Sequence, residues 1–518
     1  MNALDIGGRL LTSRVSGPLL DLATRLLYRD RLRRLLVRIV EGRLQVHLEE
    51  NDQMPITWRT IARQRNLIYR AVLHTVDRVV DQRILSPQVA RVITELWGRA
   101  LCLPPGRVPA VQRFRREHGC DPPWFMTISP TQACNLSCQG CYADSGSGHG
   151  ETVADRLKWS ILDRIMTEAK ELWGVPLFVL SGGEPLLYRS EGKDLLDAVE
   201  KHSDCLFLMF TNGLLIDKET AARLARLGNL TPALSVEGMR DQTDERRGAG
   251  VFDRVLAAMS DLREAGVPFG ISATVTRGNC EEILSDRVLD FFFDEQGAFY
   301  CFLFQYMPIG RSPDLDLMPT SEQSIRFWRR SWEVVARKRL FLLDFWNHGP
   351  LVEGCISAGR EKGYIYVDWN AKVMPCVFAP YSAANMEEIY ARGGTLNDVW
   401  KAPFFQAIRG WQREYGYGRQ ELSAEGNWMS PCPFRHHYSL FREWLEQYQP
   451  EPEDRAASEA LADEVYRQGM VTSGKEHKEA TQEIWEQEYL GREQTPARRG
   501  GRGGTGRIGE RGAKYCPR

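Results

Sequence analysis

Between residues 125 and 306 the chain alternates short apolar runs with longer stretches of helical periodicity, and this alternation restricts the fold more than any other feature of its 518 residues. The runs Leu177–Leu180, Leu206–Phe210, Ala233–Val236, Phe269–Val275 and Phe302–Tyr306, with one more beginning at Trp124, read as buried strands. Helical patterns fill the intervals at 154–173, 192–199, 218–227, 252–265 and 281–293. Strands alternating with helices imply a parallel sheet with right-handed crossovers, and the loops at the strand C-termini then carry the site. The expected fold class is α/β, a partial (β/α)6 TIM-like barrel. A helical N-terminal domain precedes it, and a small α+β extension follows.

The loop after the first of these strands contains Cys134, Cys138 and Cys141 in the order C-x3-C-x2-C. A [4Fe-4S] cube normally takes four cysteines, so three in one loop imply either a distant fourth ligand or an iron left open for chemistry. A zinc site is the competing reading, although zinc pairs usually come as C-x2-C with a second pair downstream.

The next strand ends carry matching elements. Gly182-Gly183-Glu184-Pro185 begins after the second strand, its Glu184 lying 43 residues beyond Cys141. Paired glycines permit close backbone approach to a ligand, and an adjacent carboxylate can accept from an ammonium group. The third strand ends in Thr211-Asn212-Gly213, which reads as a polar turn. The fourth ends in Ser235-Val236-Glu237-Gly238, with Arg247-Gly248 further on. Together these motifs resemble the radical S-adenosylmethionine (radical SAM) superfamily across Phe125 to about Arg311.

That resemblance implies a [4Fe-4S] cluster on Cys134, Cys138 and Cys141, with S-adenosylmethionine chelating the open iron. It further implies that Gly182, Gly183, Glu184 and Pro185 hold the methionine amino group. Ser235 and Glu237 would contact the ribose, and Arg247 would face the carboxylate. Glu237 departs from the pattern, where Asp is more usual. The implied activity is reductive cleavage of S-adenosylmethionine to a 5′-deoxyadenosyl radical that attacks a C–H bond, fed by a one-electron donor of flavodoxin or ferredoxin type. Catalytic side chains for the later steps are not legible. Tyr306 and Cys301 read as strand filling.

A second cysteine set comprises Cys355, Cys376 and Cys432, with Trp369-Asn370 as a hairpin turn between the first two. Fifteen residues separate Cys355 from Ala371, and four more separate Ala371 from Cys376. This resembles the SPASM or twitch extension and implies an auxiliary cluster. Ala371 stands where that pattern has glycine, and the later run of four cysteines is absent. Three cysteines can hold one cluster and not two, so one auxiliary [4Fe-4S] cluster is expected. His436 and His437 are candidate fourth ligands, with a surface histidine pair as the favoured reading. Cys102, Cys120, Cys205, Cys280 and Cys301 read as buried small apolar residues.

The net charge of −1 conceals basic ends. Residues 1–118 hold 21 arginines, no lysine and 11 acidic residues. Pro18–Leu44 sets Leu19, Leu22, Leu26, Leu35, Ile39 and Val40 among Arg25, Arg29, Arg33, Arg34 and Arg38. Such a segment can lie on an anionic membrane or cover the barrel with a solvated arginine face, and the second reading is favoured. No strand alternation suggests a leader-peptide recognition domain there. The expected division is a helical domain at 1–118, the barrel at 119–320, an auxiliary-cluster domain at 321–450, a helical extension at 451–494 and a disordered Gly/Arg-rich tail at 495–518.

Met1 is not followed by a charged segment, an apolar stretch and a cleavage site, and no apolar run approaches membrane-span length. A cytoplasmic protein is expected, with peripheral membrane contact through the N-terminal helices as the less favoured alternative. The leading function is a radical SAM enzyme acting on a peptide or lipid-like substrate. The alternatives are a non-enzymatic iron–sulfur electron carrier and an RNA-modifying radical SAM enzyme, nucleic acid not being the expected partner.

Overall fold

The computed structural model describes residues 28–50, 54–102, 108–146 and 155–492. Cys516 and the Gly/Arg-rich tail lie outside the described residues, as does the start of the amphipathic segment before residue 28.

Ten strands form one sheet: β1 Phe125–Ile128, β2 Leu177–Leu180, β3 Leu206–Thr211, β4 Leu230–Ser235, β5 Gly270–Val275, β6 Cys301–Gln305, β7 Leu342–Asp344, β8 Tyr364–Val367, β9 Lys372–Met374 and β10 Ala384–Asn385. Their order is β10-β9-β8-β1-β2-β3-β4-β5-β6-β7. Strands β1 to β7 pair in parallel, each with the next. The six expected strands are therefore present, and β7 extends the set on one edge. On the other edge β8 pairs in parallel with β1, Phe125 opposite Tyr364 through Ile128 opposite Val367. The hairpin β8–β9 thus adds to the barrel sheet itself. Its turn includes Ala371, buried and at a φ of +60°, a conformation that costs a non-glycine residue about 1–2 kcal/mol. The missing glycine is tolerated because Asp368 accepts from the backbone N–H groups of Asn370 and Lys372 and pins the turn.

Helices cover the sheet, and their ends follow local chemistry. The helix Lys218–Leu227 starts at Asp217, which accepts from the Thr220 N–H, and stops at Gly228 in the left-handed region. The first helical pattern, expected over 154–173, is helical among the described residues only from Trp159: the α-helix Trp159–Glu168 continues as a π-helical turn, Ala169–Trp173, and ends at Gly174 in the left-handed region.

The N-terminal helices differ from expectation. Helix α1, Asp30–Glu50, packs on α2, Ile56–Asp81. Helix α2 reaches the body of the protein, where Arg65 donates to the Leu351 carbonyl and pairs with Glu353 at 3.1 Å, and α1 adds the pair of Glu41 with Arg339 at 3.7 Å. The favoured picture of α1 holds for the solvated arginines Arg29, Arg31, Arg34 and Arg38 but not for the apolar contact beneath them. Arg33 is buried against Asp77 at 2.6 Å and against Asp81, while Leu32, Leu35, Leu36, Ile39 and Val40 are exposed. The carboxylates of α2 draw one arginine inward and so rotate the leucine-rich side outward.

Candidate active site and second cysteine centre

The loop after β1 is fastened to the ends of β2 and β3. Gly183 N–H donates to the Thr131 carbonyl at 2.9 Å, and Glu184 N–H to the Ala133 carbonyl at 2.7 Å. A Cβ on Gly183 would lie 2.2 Å from the Ala133 oxygen, so only glycine permits this approach. Tyr142, directly after Cys141, places its hydroxyl 2.7 Å from Ser181 Oγ and accepts from Gly182 N–H at 3.0 Å.

Glu184 is fully buried. Its Oε1 accepts from Leu186 N–H at 3.1 Å and Thr211 Oγ1 at 2.8 Å, and its Oε2 accepts from Asn212 N–H at 2.8 Å. Burial raises its pKa, opposed by these donors. Asn212 then turns its amide toward the loop, donating to Asn135 Oδ1 at 2.7 Å and lying 3.8 Å from Cys134 Sγ. The sequence reading of Thr211-Asn212-Gly213 as a turn missed this role, for which a polar pair at a strand end was the available signal.

Burial pushes the Cys134 thiol up to about 12, and the neighbouring charges of Glu184, Cys138 and Cys141 add to the effect. A buried thiol with two further thiols and a carboxylate close by makes a natural seat for a cationic iron centre, which deprotonates its thiol ligands. Among the described residues no three His, Cys, Asp or Glu side chains converge on one metal-ion position. The fit to a larger cluster rests on this donor chemistry.

Across the rim, Glu237 is buried between two arginines. Its Oε1 accepts from Arg246 at 2.7 Å and from Arg247 at 2.6 Å, and its Oε2 from Thr274 N–H at 2.9 Å. Both carboxylate oxygens therefore have internal partners. Burial opposes the Arg247 charge, yet Glu237 and the sulfurs of Cys138 and Cys141 outweigh it and raise its pKa. Arg246 also donates to the Gly140 carbonyl at 3.3 Å, joining the helix Arg240–Arg247 to the cysteine loop. Ser235 stays half-buried, its hydroxyl 3.4 Å from that of Ser272.

Arg311 was not singled out from sequence. It donates to Ser137 Oγ at 2.9 Å, the Cys138 carbonyl at 3.1 Å and the Ser145 carbonyl, and it pairs with Asp144 at 3.1 Å. Tyr306 is buried with its ring against Gly140. Cys301 is buried in β6, as are Cys120, Cys205 and Cys280 elsewhere.

Cys355, Cys376 and Cys432 are brought into electrostatic reach of one another. Burial pushes Cys432 up to about 12, with Cys355 the next largest influence, and burial likewise raises Cys376, which senses both others. Cys376 Sγ lies 2.9 Å from the Tyr364 hydroxyl, and Cys432 Sγ accepts from Arg435 N–H at 3.3 Å. The surface placement expected for His436 and His437 is incorrect. The helix Glu464–Ile484 packs over His436, which is buried and stacked on His477 at 4.6 Å, while His437 lies half-buried against Trp411 and Tyr415. The Nδ1 of His436 accepts from Cys432 N–H at 3.3 Å, and burial lowers the His436 pKa well below the usual value.

Residues 128–286 match the family model for the radical SAM superfamily. The chain is 28% identical to the AdoMet-dependent heme synthase of Methanosarcina barkeri over 55% of its length and 85% of that protein. It is 30% identical to the mycofactocin maturase MftC of Mycobacterium ulcerans, covering 57% of this chain and 79% of that one. Against the PqqA peptide cyclase of Granulibacter bethesdensis it is 29% identical over 56% and 77% respectively.

The chain belongs to the radical SAM superfamily, and its relatives are of the SPASM/twitch type. It is an enzyme whose cofactors are a [4Fe-4S] cluster and S-adenosylmethionine, and an auxiliary cluster is typical of its relatives. When bound, the first two supply a one-electron reductive cleavage whose 5′-deoxyadenosyl radical takes hydrogen from an unactivated C–H bond.

Proposed function

We propose that this enzyme modifies a peptide, with the site at the C-terminal ends of β1 to β4. The observation that carries the reading is the convergence on one rim of the cysteine loop, the Gly182–Pro185 turn and the Glu237–Arg247 pair, tied together by Asn212 and Arg246. Cys134, Cys138 and Cys141 hold the cluster. Gly182, Gly183 and Pro185 offer backbone to the methionine amino group, with the Glu184 carboxylate bracing the turn. Ser235 faces the ribose, and Arg247, held by Glu237, faces the carboxylate. Cys355, Cys376 and Cys432 hold one auxiliary cluster. Support for a peptide comes from relatives named as a maturase and a peptide cyclase. An electron carrier would have no use for the Glu184 and Glu237 networks. A flavodoxin- or ferredoxin-type donor supplies the electrons in the cytoplasm.

The test is anaerobic reconstitution with dithionite and S-adenosylmethionine, reading 5′-deoxyadenosine by mass spectrometry. Its absence would sink the enzymatic reading. Iron near ~8 per chain, falling to ~4 when Cys355, Cys376 and Cys432 are all replaced by alanine, is expected, and ~12 in the parent would refute a single auxiliary cluster.

A second element is peripheral contact with anionic lipid through α1, supported by its exposed apolar side flanked by Arg31, Arg34 and Arg38. Among the described residues no helix is long and apolar enough to cross a membrane.

A further inference from the structure

The inner face of the barrel carries a run of aromatic rings. Phe210 on β3 lies 5.9 Å from Phe302 and 5.4 Å from Phe304, both on β6. Strands β4 and β5 stand between them in the sheet, a separation of about 14 Å measured along it. Rings so far apart along a sheet can touch only across its concave side, so all three point into the lumen.

The run continues toward both cysteine trios. Phe304 meets Phe345, just beyond β7, at 5.7 Å and Phe378, two residues after Cys376, at 5.8 Å. Phe378 in turn lies 6.4 Å from Tyr142, the residue after Cys141. All six rings are half-buried, so their surfaces are not sealed in the core. The partly exposed positions of β3, β6 and β7 bring no charged side chain. Phe210 meets its neighbours edge-to-face, at 76° and 79°, which commits its ring to other rings and leaves no cage of open faces for a cation. A charge placed beside Phe210, Phe302 and Phe304 would be desolvated, and the buried Arg435, 5.3 Å over the Trp346 ring, is already engaged with the Tyr306 carbonyl and Gln305.

We infer that the side chain this enzyme takes into its lumen is uncharged and apolar, an aromatic or aliphatic residue of the peptide. This rests on the peptide reading above, and the rings place that residue between the two cysteine centres.

The test uses the reconstituted full chain under anaerobic equilibrium dialysis. The probes are blocked Gly-Xaa-Gly peptides, with Xaa being Phe, Leu, Lys or Glu, together with toluene and benzylammonium. The Phe and Leu peptides should be retained at least about tenfold more strongly than the Lys and Glu peptides. Retention should be lost in Phe304→Ser and kept in Phe304→Leu. Toluene held in preference to benzylammonium with every peptide rejected would leave the lumen assignment standing and sink the peptide reading. Charged probes bound as well as apolar ones, retention insensitive to Phe304→Ser, or no probe bound at all, would overturn the inference.

Discussion

Arg311 reaches back across the barrel mouth to donate to the carbonyl oxygen of Cys138 at 3.1 Å. The same guanidinium holds Ser137, Ser145 and Asp144, so one side chain braces both flanks of Cys138 and Cys141. A loop carrying three ligands on irregular backbone loses conformational entropy when it is fixed, and hydrogen bonds to a charged group offset that loss by about 1.5–3 kcal/mol each. Arg311→Ala should therefore lower iron retained after gel filtration by at least about half, while Arg311→Lys, with a single point of attachment, should fall between. Iron content and the low-temperature EPR signal provide the readout. Full iron retention in Arg311→Ala would show that the loop is rigid without it.

Glu184 acts on the cysteine loop through Asn212. Its Oε2 fixes the Asn212 backbone, and the Asn212 amide then reaches Asn135 and Cys134. Glu184→Gln turns one buried acceptor into a donor facing the Asn212 N–H, leaving both unsatisfied at a cost of about 1–3 kcal/mol. The expected outcome is S-adenosylmethionine affinity weakened at least about tenfold, accompanied by an altered cluster EPR signal. Weakened affinity with an unchanged signal would mean that the carboxylate serves the ligand alone.

The strands, the two cysteine sets and the Gly-Gly-Glu-Pro turn were legible because each is a local pattern: an apolar run, a spacing, a dipeptide that only a tight turn needs. Ala371 was likewise visible as a departure, and its positive φ explains why glycine is the usual occupant. What escaped depends on long-range pairing. Nothing in Tyr364–Val367 specifies β1 as its neighbour, and nothing around His436 reveals that a helix some forty residues later will cover it. Arg311 and Asn212 are ordinary polar residues in one dimension. Their significance comes from which loop they face. For α1 the periodicity was readable, but the inward face was set by Asp77 and Asp81 on another helix.

Two buried guanidiniums accompany the second cysteine trio. Arg435 donates to the Tyr306 carbonyl at 2.8 Å and to Gln305 at 3.2 Å, and Arg360 donates to the carbonyls of Glu353 and Val352. Neither forms an ion pair with a carboxylate among the described residues, and burial lowers the pKa of each, Arg435 to about 10. Arg435 senses Cys432, and Arg360 senses Cys355. Buried charges require partners, and thiolates bearing an anionic cluster would supply one. A nearby cation favours the reduced, more negative cluster. Arg435→Met should accordingly shift the auxiliary midpoint potential downward in an EPR-monitored redox titration. An upward shift, or none, would contradict this electrostatic role.

Asp368 offers a prediction in pH. Burial pushes its pKa up to about 7, Oδ1 carries both turn hydrogen bonds, and Oδ2 is buried without a partner. An acid whose pKa is raised on folding contributes stability that is fully present below its unfolded value, near 4. That contribution is lost as pH rises through about 7. Asp368→Asn keeps the Oδ1 acceptor and removes the charge. At pH 8 it should be more stable than the parent by about 2–4 kcal/mol, with the gain shrinking as the pH falls and gone below about pH 4. Denaturant midpoints at the two pH values check this, and a gain independent of pH would assign it to some cause other than the carboxylate's ionisation.

The outward side of α1 carries Leu32, Leu35, Leu36, Ile39 and Val40, and Arg31, Arg34 and Arg38 are exposed on one flank of that arc. Apolar area and basic charge act in different ways at a lipid surface, and this makes them separable. Each arginine near an anionic leaflet adds roughly 1 kcal/mol, so replacing all three by glutamine should weaken binding to phosphatidylglycerol vesicles by roughly a hundredfold and abolish its salt dependence. Leu35→Glu with Ile39→Glu should remove binding at all salt concentrations, because the insertion surface itself is lost. Phosphatidylcholine vesicles should bind weakly throughout. Equal binding to both lipids, or binding that survives the double glutamate substitution, would rule out α1 as the contact. Concentration-dependent dimerisation abolished by the same two glutamates, without vesicle binding, would instead identify a second copy of the chain as the partner of this face.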